Sequence, residues 1–415
     1  MSGRSFARTG SAALLALALA IPAGTAVAQE GTTITFLTPP WGVPPDPALL
    51  EAFQAESGIT VQVIEKSPIE TLFQDVQIAA GAGLPAADVI FLTEEAPSNI
   101  IATGNVEPLD DLIAAAGTDM SQFSQVDFWQ ADGQTYGFPV YSQLVMLDYN
   151  SARLAEAGFE APPATWAELT DMARALKEQG VDQYPISFGA IDWSWYLMAL
   201  SMGDPMFDEE LNPVFADEGS KGREAMALLL SYFSDELITP AIVGGEVTQH
   251  TNFWGGTGTF HQGWQGSVRV GNNPDVSTQA PDVAYALLPD AHFTWSQPAA
   301  LGIGTGSPNR DAAYQFIEWY TSPENQLAIY EAFGLYPSRD AVAADLSEAG
   351  SIEGYDVIVE QAQYINELPR QALWWGPFTE AVSTAIFEAA STGGDADAVI
   401  DGLAAEWDAL KAEFE

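Results

Sequence analysis

The chain has 415 residues, with 57 Asp plus Glu against 13 Lys plus Arg, a formal net charge of −44, three His and no Cys. Single hydrophobic cores stop growing near roughly 250–300 residues, so two lobes are expected, and 47% hydrophobic residues give enough apolar surface to fold them. So acidic a surface excludes nucleic acid and anionic membranes as partners, while the lack of Cys excludes disulfides, thiol nucleophiles, Cys-ligated zinc and iron–sulfur clusters.

The first 28 residues have the pattern of a cleaved secretory signal. Arg4 and Arg8 make a basic start, Ala12 to Ile21 a short apolar run, and Ala26-Val27-Ala28 the small-x-small pattern before Gln29. That run is about half of the roughly 20 residues a membrane span needs. No Cys follows it, so a lipid anchor on the mature end is not expected, and a free periplasmic protein fits best. The acidity suggests a saline habitat, where carboxylates keep a protein soluble.

Thr33 to Thr38 alternates and is β-branched, Pro39-Pro40-Trp41-Gly42 breaks it, and Pro47 to Glu56 has helical spacing. Ile59 to Ile64 predicts a second strand, Ile69 to Ala80 a helix, and the apolar Ala87 to Thr93 a parallel strand covered on both faces. This βαβαβ opening predicts a doubly wound α/β sheet, whose ligands bind beyond the carboxyl ends of strands. Pro40, Trp41, Lys66, Glu94 and Glu95 all follow strand ends. Tyr136 to Asn150 is a long extended stretch suited to passing from one lobe to the other. Thr165 and Glu168 have capping-box spacing for a helix to about Gln179. Ala299 to Gly306 predicts a Gly-rich strand, Asp311 to Tyr320 and Pro323 to Phe333 predict helices, and the last sixty residues read as a helical run.

Catalytic motifs are absent: no nucleophile elbow, Walker loop, HExxH or GxGxxG occurs. The spacing of His250, His261 and His292 resembles no metal site, so neither metal nor cofactor is expected. Asp395, Asp397 and Asp401 lack the glycine of a calcium loop and suit the start of a helix. The positive signal is aromatic. Trp41, Asp192-Trp193-Ser194-Trp195, Trp254, Trp264, Trp295, Trp374 and Trp375 lie beside Gly or polar residues rather than inside aliphatic runs. Rings stack on the C–H faces of sugars while nearby carboxylates and amides bond the hydroxyls.

Several segments, in this order, resemble the family-1 extracellular solute-binding proteins of ABC importers, a group that includes maltose-binding protein. They are LLEAFQAESGITVQV, ADVIFLT, YGFPVYSQLVMLDYN, PPATWAEL, GTGTFHQGWQGSV, LGIGTGSPNRDAAYQFIEWYTSPENQ, YEAFGLYPSRDAV and ALWWGPFTEAVSTAIFEAA. The resemblance implies a type II bilobal periplasmic-binding-protein fold: two doubly wound lobes joined by three crossings, near Tyr141, Pro298 to Ala300, and Tyr336-Pro337. Residues 29–140 plus 299–337 would form the N-terminal lobe, and 141–298 plus 338–415 the C-terminal lobe. The family's cleft positions fall on Pro40, Trp41, Glu94, Glu95, Tyr141, Trp264, Gln265 and one of Trp374 and Trp375, the last pair as an aromatic platform; Asp192 and Trp193 join them from the aromatic signal. A cleft nearly free of cations is expected, suited to a neutral carbohydrate or polyol that a monomer captures by hinge closure and delivers to a membrane permease. A polyamine binder on the same fold and a secreted glycoside hydrolase are the alternatives.

Overall fold

The structure, a computed structural model, describes residues 31–414; the expected signal segment lies outside them. Among the described residues the strands are β1 (Thr32–Thr38), β2 (Ile59–Glu65), β3 (Val89–Leu92), β4 (Val106–Glu107), the small hairpin β5 (Gln130–Ala131) and β6 (Gln134–Thr135), β7 (Phe138–Asn150), β8 (Ile186–Ser187), β9 (Phe260–Trp264), β10 (Val283–Ala286) and β11 (Ser296–Gly304). The main sheet runs β2-β1-β3-β11-β7-β9-β8, with β4 paired to β11 and β10 to β7.

The opening folds as its pattern predicts, with β1 parallel to both β2 and β3. The connecting helices are Pro47–Ser57 and Glu70–Gly81. The first is capped by the Asp46 carboxylate, which accepts from the Ala48 N–H at 2.8 Å, and ends on Gly58 at φ +73°. β3 is shorter than its apolar run, because Asp88 at its start leaves the ladder pattern to accept from the Thr35 N–H at 2.8 Å and from Ser307 Oγ at 2.6 Å. Thr165 caps helix Trp166–Glu178 by accepting from the Glu168 N–H at 3.1 Å. Glu168 reaches back to the N–H of Ala164 rather than to that of Thr165, so the reciprocal bond closes one residue early.

The C-terminal helical run is broken. Helices Tyr355–Gln361, Trp375–Thr392 and Ala396–Phe414 are separated by an irregular stretch that contains Pro369, which has no N–H for a helix interior. Asp395 caps the last helix by accepting from the Ala398 N–H at 2.9 Å, while Asp397 and Asp401 pair with Arg223.

Three segments run side by side through the middle of the molecule. β7 and β11 pair antiparallel, with Tyr141 opposite Ala299 and Ser142 opposite Pro298, and the register shifts between Ala299 and Ala300, where Pro139 offers no N–H. On the other side of β7, Pro337 bridges to Tyr141 and the Ser142 N–H donates to the Tyr336 carbonyl at 3.0 Å. Hydrophobic clusters flank these crossings. On one side Phe36, Phe91 and Phe316 fill one sheet face and Leu37, Ile90 and Trp129 the other. Beyond the crossings β7 alternates, sending Val145 and Leu147 into a large cluster with Trp195, Trp375 and Trp407, and Leu144 and Met146 into a second with Tyr285 and Tyr330.

Candidate interlobe binding site

Where the crossings meet, groups from distant parts of the chain converge. Trp41 lies on a single turn, Pro40–Gly42, directly after β1, and both it and Pro40 are half-buried. Glu94 and Glu95 follow the end of β3, and the Glu94 carboxylate accepts from Gln297 Nε2 at 2.8 Å. Glu95 accepts from Thr93 Oγ1 at 3.0 Å. From the opposite side comes Asp192, the first residue of helix Asp192–Ser201, which accepts from Thr379 Oγ1 at 2.5 Å and Ser383 Oγ at 2.9 Å. Tyr141 lies on the crossing strand itself, buried beside Phe91 with ring centroids 6.2 Å apart.

The carboxylates sense one another. Burial pushes Glu94 above the usual carboxylate range against the pull of Arg370, and Glu95 is pushed further by burial, by Glu94 and by Asp192. Asp192 is raised by burial and held back by its two hydroxyl donors. Burial and the Glu94 charge together raise the phenol of Tyr141.

Arg370 is the residue that sequence reasoning missed. It is 2% exposed, donates to the Ser296 carbonyl at 2.6 Å and to Glu367, and lies 5.1 Å over the Phe128 ring. Its Nε–H has no partner. The guanidinium lies close enough to Glu94 and Glu95 to lower both carboxyls, so the place expected to be nearly free of cations holds one, already paired with Glu367. The only cue in the sequence was an arginine beside a proline a few residues before the Trp pair, in a stretch that read as helix.

The expected aromatic residues divide. Trp193 and Trp264 are half-buried and both lie against the His250 ring, at 6.5 and 5.1 Å, with Trp254 stacked on that ring at 5.9 Å and Trp295 6.1 Å from Trp193. Gln265 is turned the other way and lines a cavity of about 10 Å³, room for roughly one water, with Tyr285, Tyr330 and Tyr336. Trp375 is 2% exposed and enclosed by Tyr196, Phe207, Phe378 and Trp407. This is core packing rather than the setting of a platform. Trp374, 7% exposed, has its ring against Trp407 and an indole N–H without a partner. The histidines do not meet as a trio: His250 and His261 bond each other at 2.9 Å, while His292 bonds the Leu288 carbonyl. Burial lowers His261 to about 3 and His250 well below its usual value, which keeps both neutral.

The two sides touch across the mouth. A Cβ on Gly376 would lie 2.1 Å from Asn99 Oδ1, so any larger residue at the start of helix Trp375–Thr392 would displace the Asn99 side chain of the turn Pro97–Ile101 packed against it. Gln371 donates to the Phe128 carbonyl at 3.3 Å beside it.

A family model described as bacterial extracellular solute-binding protein matches residues 48–353, most of the chain. The chain belongs to that family. Its relatives include a Brucella abortus binding protein, 23% identical over 377 residues and covering 87% of this chain and 88% of that one. The same bilobal α/β fold recurs in T. maritima MalE3 with maltose bound, at a TM-score of 0.78 and 20% identity over 91% of this chain and all of the other. It recurs also in an Agrobacterium radiobacter solute-binding protein in complex with ribitol, at a TM-score of 0.78 and 18% identity over 93% and 99% of the two chains. This chain is a solute-binding protein, and its fold is that of sugar-binding and polyol-binding neighbours.

Proposed function

We propose that this solute-binding protein captures a neutral carbohydrate or polyol between its lobes and delivers it to the permease of an ABC importer. The observation that supports this most is the convergence of half-buried indole faces (Trp41, Trp193, Trp264) with hydrogen-bonding carboxylates (Glu94, Glu95, Asp192) where the crossings meet. Rings cover the ligand's C–H faces and carboxylates accept from its hydroxyls. Trp374, with a free indole N–H, is the member of its pair assigned to the ligand. The paired strands at Tyr141, Pro298 to Ala300 and Tyr336-Pro337 act as hinges, and divide the lobes at 140/141, 298/299 and 337/338. The protein works as a monomer in the periplasm after losing residues 1–28, and performs no catalysis.

The buried carboxylates Glu94, Glu95 and Asp192, with the one nearby guanidinium already paired to Glu367, favour a second reading, a polyamine held by charge and cation–π contacts. A thermal-shift screen of mono- and disaccharides, polyols and polyamines separates the two, since a ligand at 100 times its Kd adds roughly 2.7 kcal/mol. Steep loss of binding with salt would mark a cationic ligand, whereas sugar binding should barely respond. Replacing Arg370 with Met should strengthen polyamine binding and weaken sugar binding. Small-angle scattering should show the protein compacting on saturation with its ligand. Unchanged dimensions would remove the hinge.

A further inference from the structure

Behind the Trp193, Trp254 and Trp264 rings runs a buried hydrogen-bonded chain that cleft architecture alone does not require. His250 Nδ1 bonds His261 Nε2 at 2.9 Å, His261 Nδ1 bonds Asp148 Oδ2 at 3.0 Å, and Ser267 Oγ donates to the same carboxylate oxygen at 2.6 Å. The order of partners is fixed by register, because His261 on β9 lies directly opposite Asp148 on β7. Phe253 stacks flat on His261, with ring centroids 4.5 Å apart and planes 8° from parallel. Gly263 makes room for the chain: a Cβ there would fall 2.3 Å from Asp148 Oδ2 and 2.4 Å from Ser267 Oγ. Such a chain resembles the way buried partners orient a working imidazole in enzymes and metal sites.

The inner two members are buried, while His250 is half-buried and uses only its inner nitrogen in the chain. Its outer nitrogen, Nε2, has only Gln249 near it, at a long 3.4 Å. Around that ring, the indole N–H groups of Trp254 and Trp264 are buried without partners. An unpartnered buried donor is costly, and two of them on rings packed against His250, whose outer nitrogen has only a long bond to Gln249, point to something that bonds there.

We propose that His250 is a ligand-contacting residue whose outer nitrogen hydrogen-bonds a hydroxyl of the bound solute, with His261 and Asp148 as the positioning residues behind it. This rests on the carbohydrate or polyol reading and names the part of the cleft that recognises the hydroxyl. The chain explains why a hydroxyl suits the place. With Asp148 ionised, His261 donates to it and accepts from His250, so the outer nitrogen is an acceptor. One added proton reverses every bond in the chain and makes that nitrogen a donor. A hydroxyl answers both states, since it donates and accepts, and its oxygen can also take an indole N–H. An ammonium, which only donates, or a carboxylate, which only accepts, answers one. The titratable groups facing the chain are its own three members and the Tyr285 phenol, and among the described residues no lysine or arginine is bonded to any of the three.

The test uses maltose, ribitol, D-mannitol and D-tagatose as probes, with calorimetry on the full chain. Replacing His250 with Ala should weaken every probe that the wild type takes by about 10- to 100-fold, and His250→Gln, whose amide both donates and accepts, should recover part of the loss. Ligand-free melting temperatures check that both variants fold. With only three histidines in the chain, 15N-imidazole NMR resolves each ring. Probe binding should move the outer-nitrogen resonance of His250, and Asp148→Asn should change the tautomer ratio of His250 although the two residues do not touch. Wild-type affinity in His250→Ala, or an outer nitrogen unmoved at saturation, overturns the proposal. A wild type that takes none of the four probes removes the carbohydrate reading itself, and this assignment with it.

Discussion

The two walls of the proposed cleft are built differently. The N-terminal wall comes from turns directly after parallel strands, so Trp41, Glu94 and Glu95 are placed by short local segments on a rigid sheet. The C-terminal wall draws Asp192, Trp193, His250, Trp264, Arg370 and Trp374 from five separate stretches, held by bonds between residues far apart in sequence, such as Thr379 to Asp192 and Arg370 to the Ser296 carbonyl. Local construction makes a wall tolerant of changes elsewhere. A wall assembled from afar depends on its core, so stability and binding should be easier to separate in the first than in the second.

The largest effect should come from the C-terminal wall. Trp375→Ala removes a ring enclosed by Tyr196, Phe207, Phe378 and Trp407, and should cost about 3–5 kcal/mol of stability, read as a fall in chemical-denaturation midpoint. Trp374→Ala should cost less stability and more affinity. Equal losses of affinity with no loss of stability in both variants would make the pair a platform after all. On the N-terminal wall, Glu94→Ala should weaken ligand binding by about 1.5–3 kcal/mol, roughly 10- to 150-fold, while melting changes little. Glu94→Gln keeps one acceptor and should lose less for a neutral ligand, but nearly as much as Ala for a cationic one. Wild-type affinity in Glu94→Ala would take this turn out of the site.

The smallest effect should be the pH dependence that joins the two walls. Glu94, Glu95 and Asp192 are raised by burial, so the folded protein holds their protons more tightly than the unfolded chain. The stabilisation from each is complete below its unfolded value, 4.5 for Glu, and is lost as pH rises through the higher folded value. The ligand-free melting temperature should therefore rise as pH is lowered from about 8 toward 5, and Glu95→Gln should flatten that rise. A melting temperature that falls over this range would show that these carboxylates are better solvated than their burial implies.

Much of this was written in local pattern. Alternation in Thr33 to Thr38, the apolar run before Glu94 and the breaks at Pro39-Pro40 and Gly58 determined a βαβαβ unit, and with it the direction in which Trp41 and Glu94 face, because parallel strands leave their ligand turns at one end. The long extended stretch to Asn150 suited a passage between lobes, while the crossing near Pro298 to Ala300 came from the resemblance to the family. Composition made nucleic acid an unexpected partner, since phosphates call for a basic face. What tertiary structure alone decided was which of many similar residues meet. Twelve tryptophans have like neighbours in sequence, yet Trp375 is enclosed in the core and Trp193 and Trp264 surround His250. Gln265, just past the end of β9, lines the small tyrosine-walled cavity, whereas Trp264 packs on His250. Arg370 and the chain from Asp148 to His250 depend on strand register and on an irregular segment that no periodicity describes. Periodicity fixes which face of an element is buried, but the partner across a buried contact is chosen by packing, and that choice exists only in the folded chain.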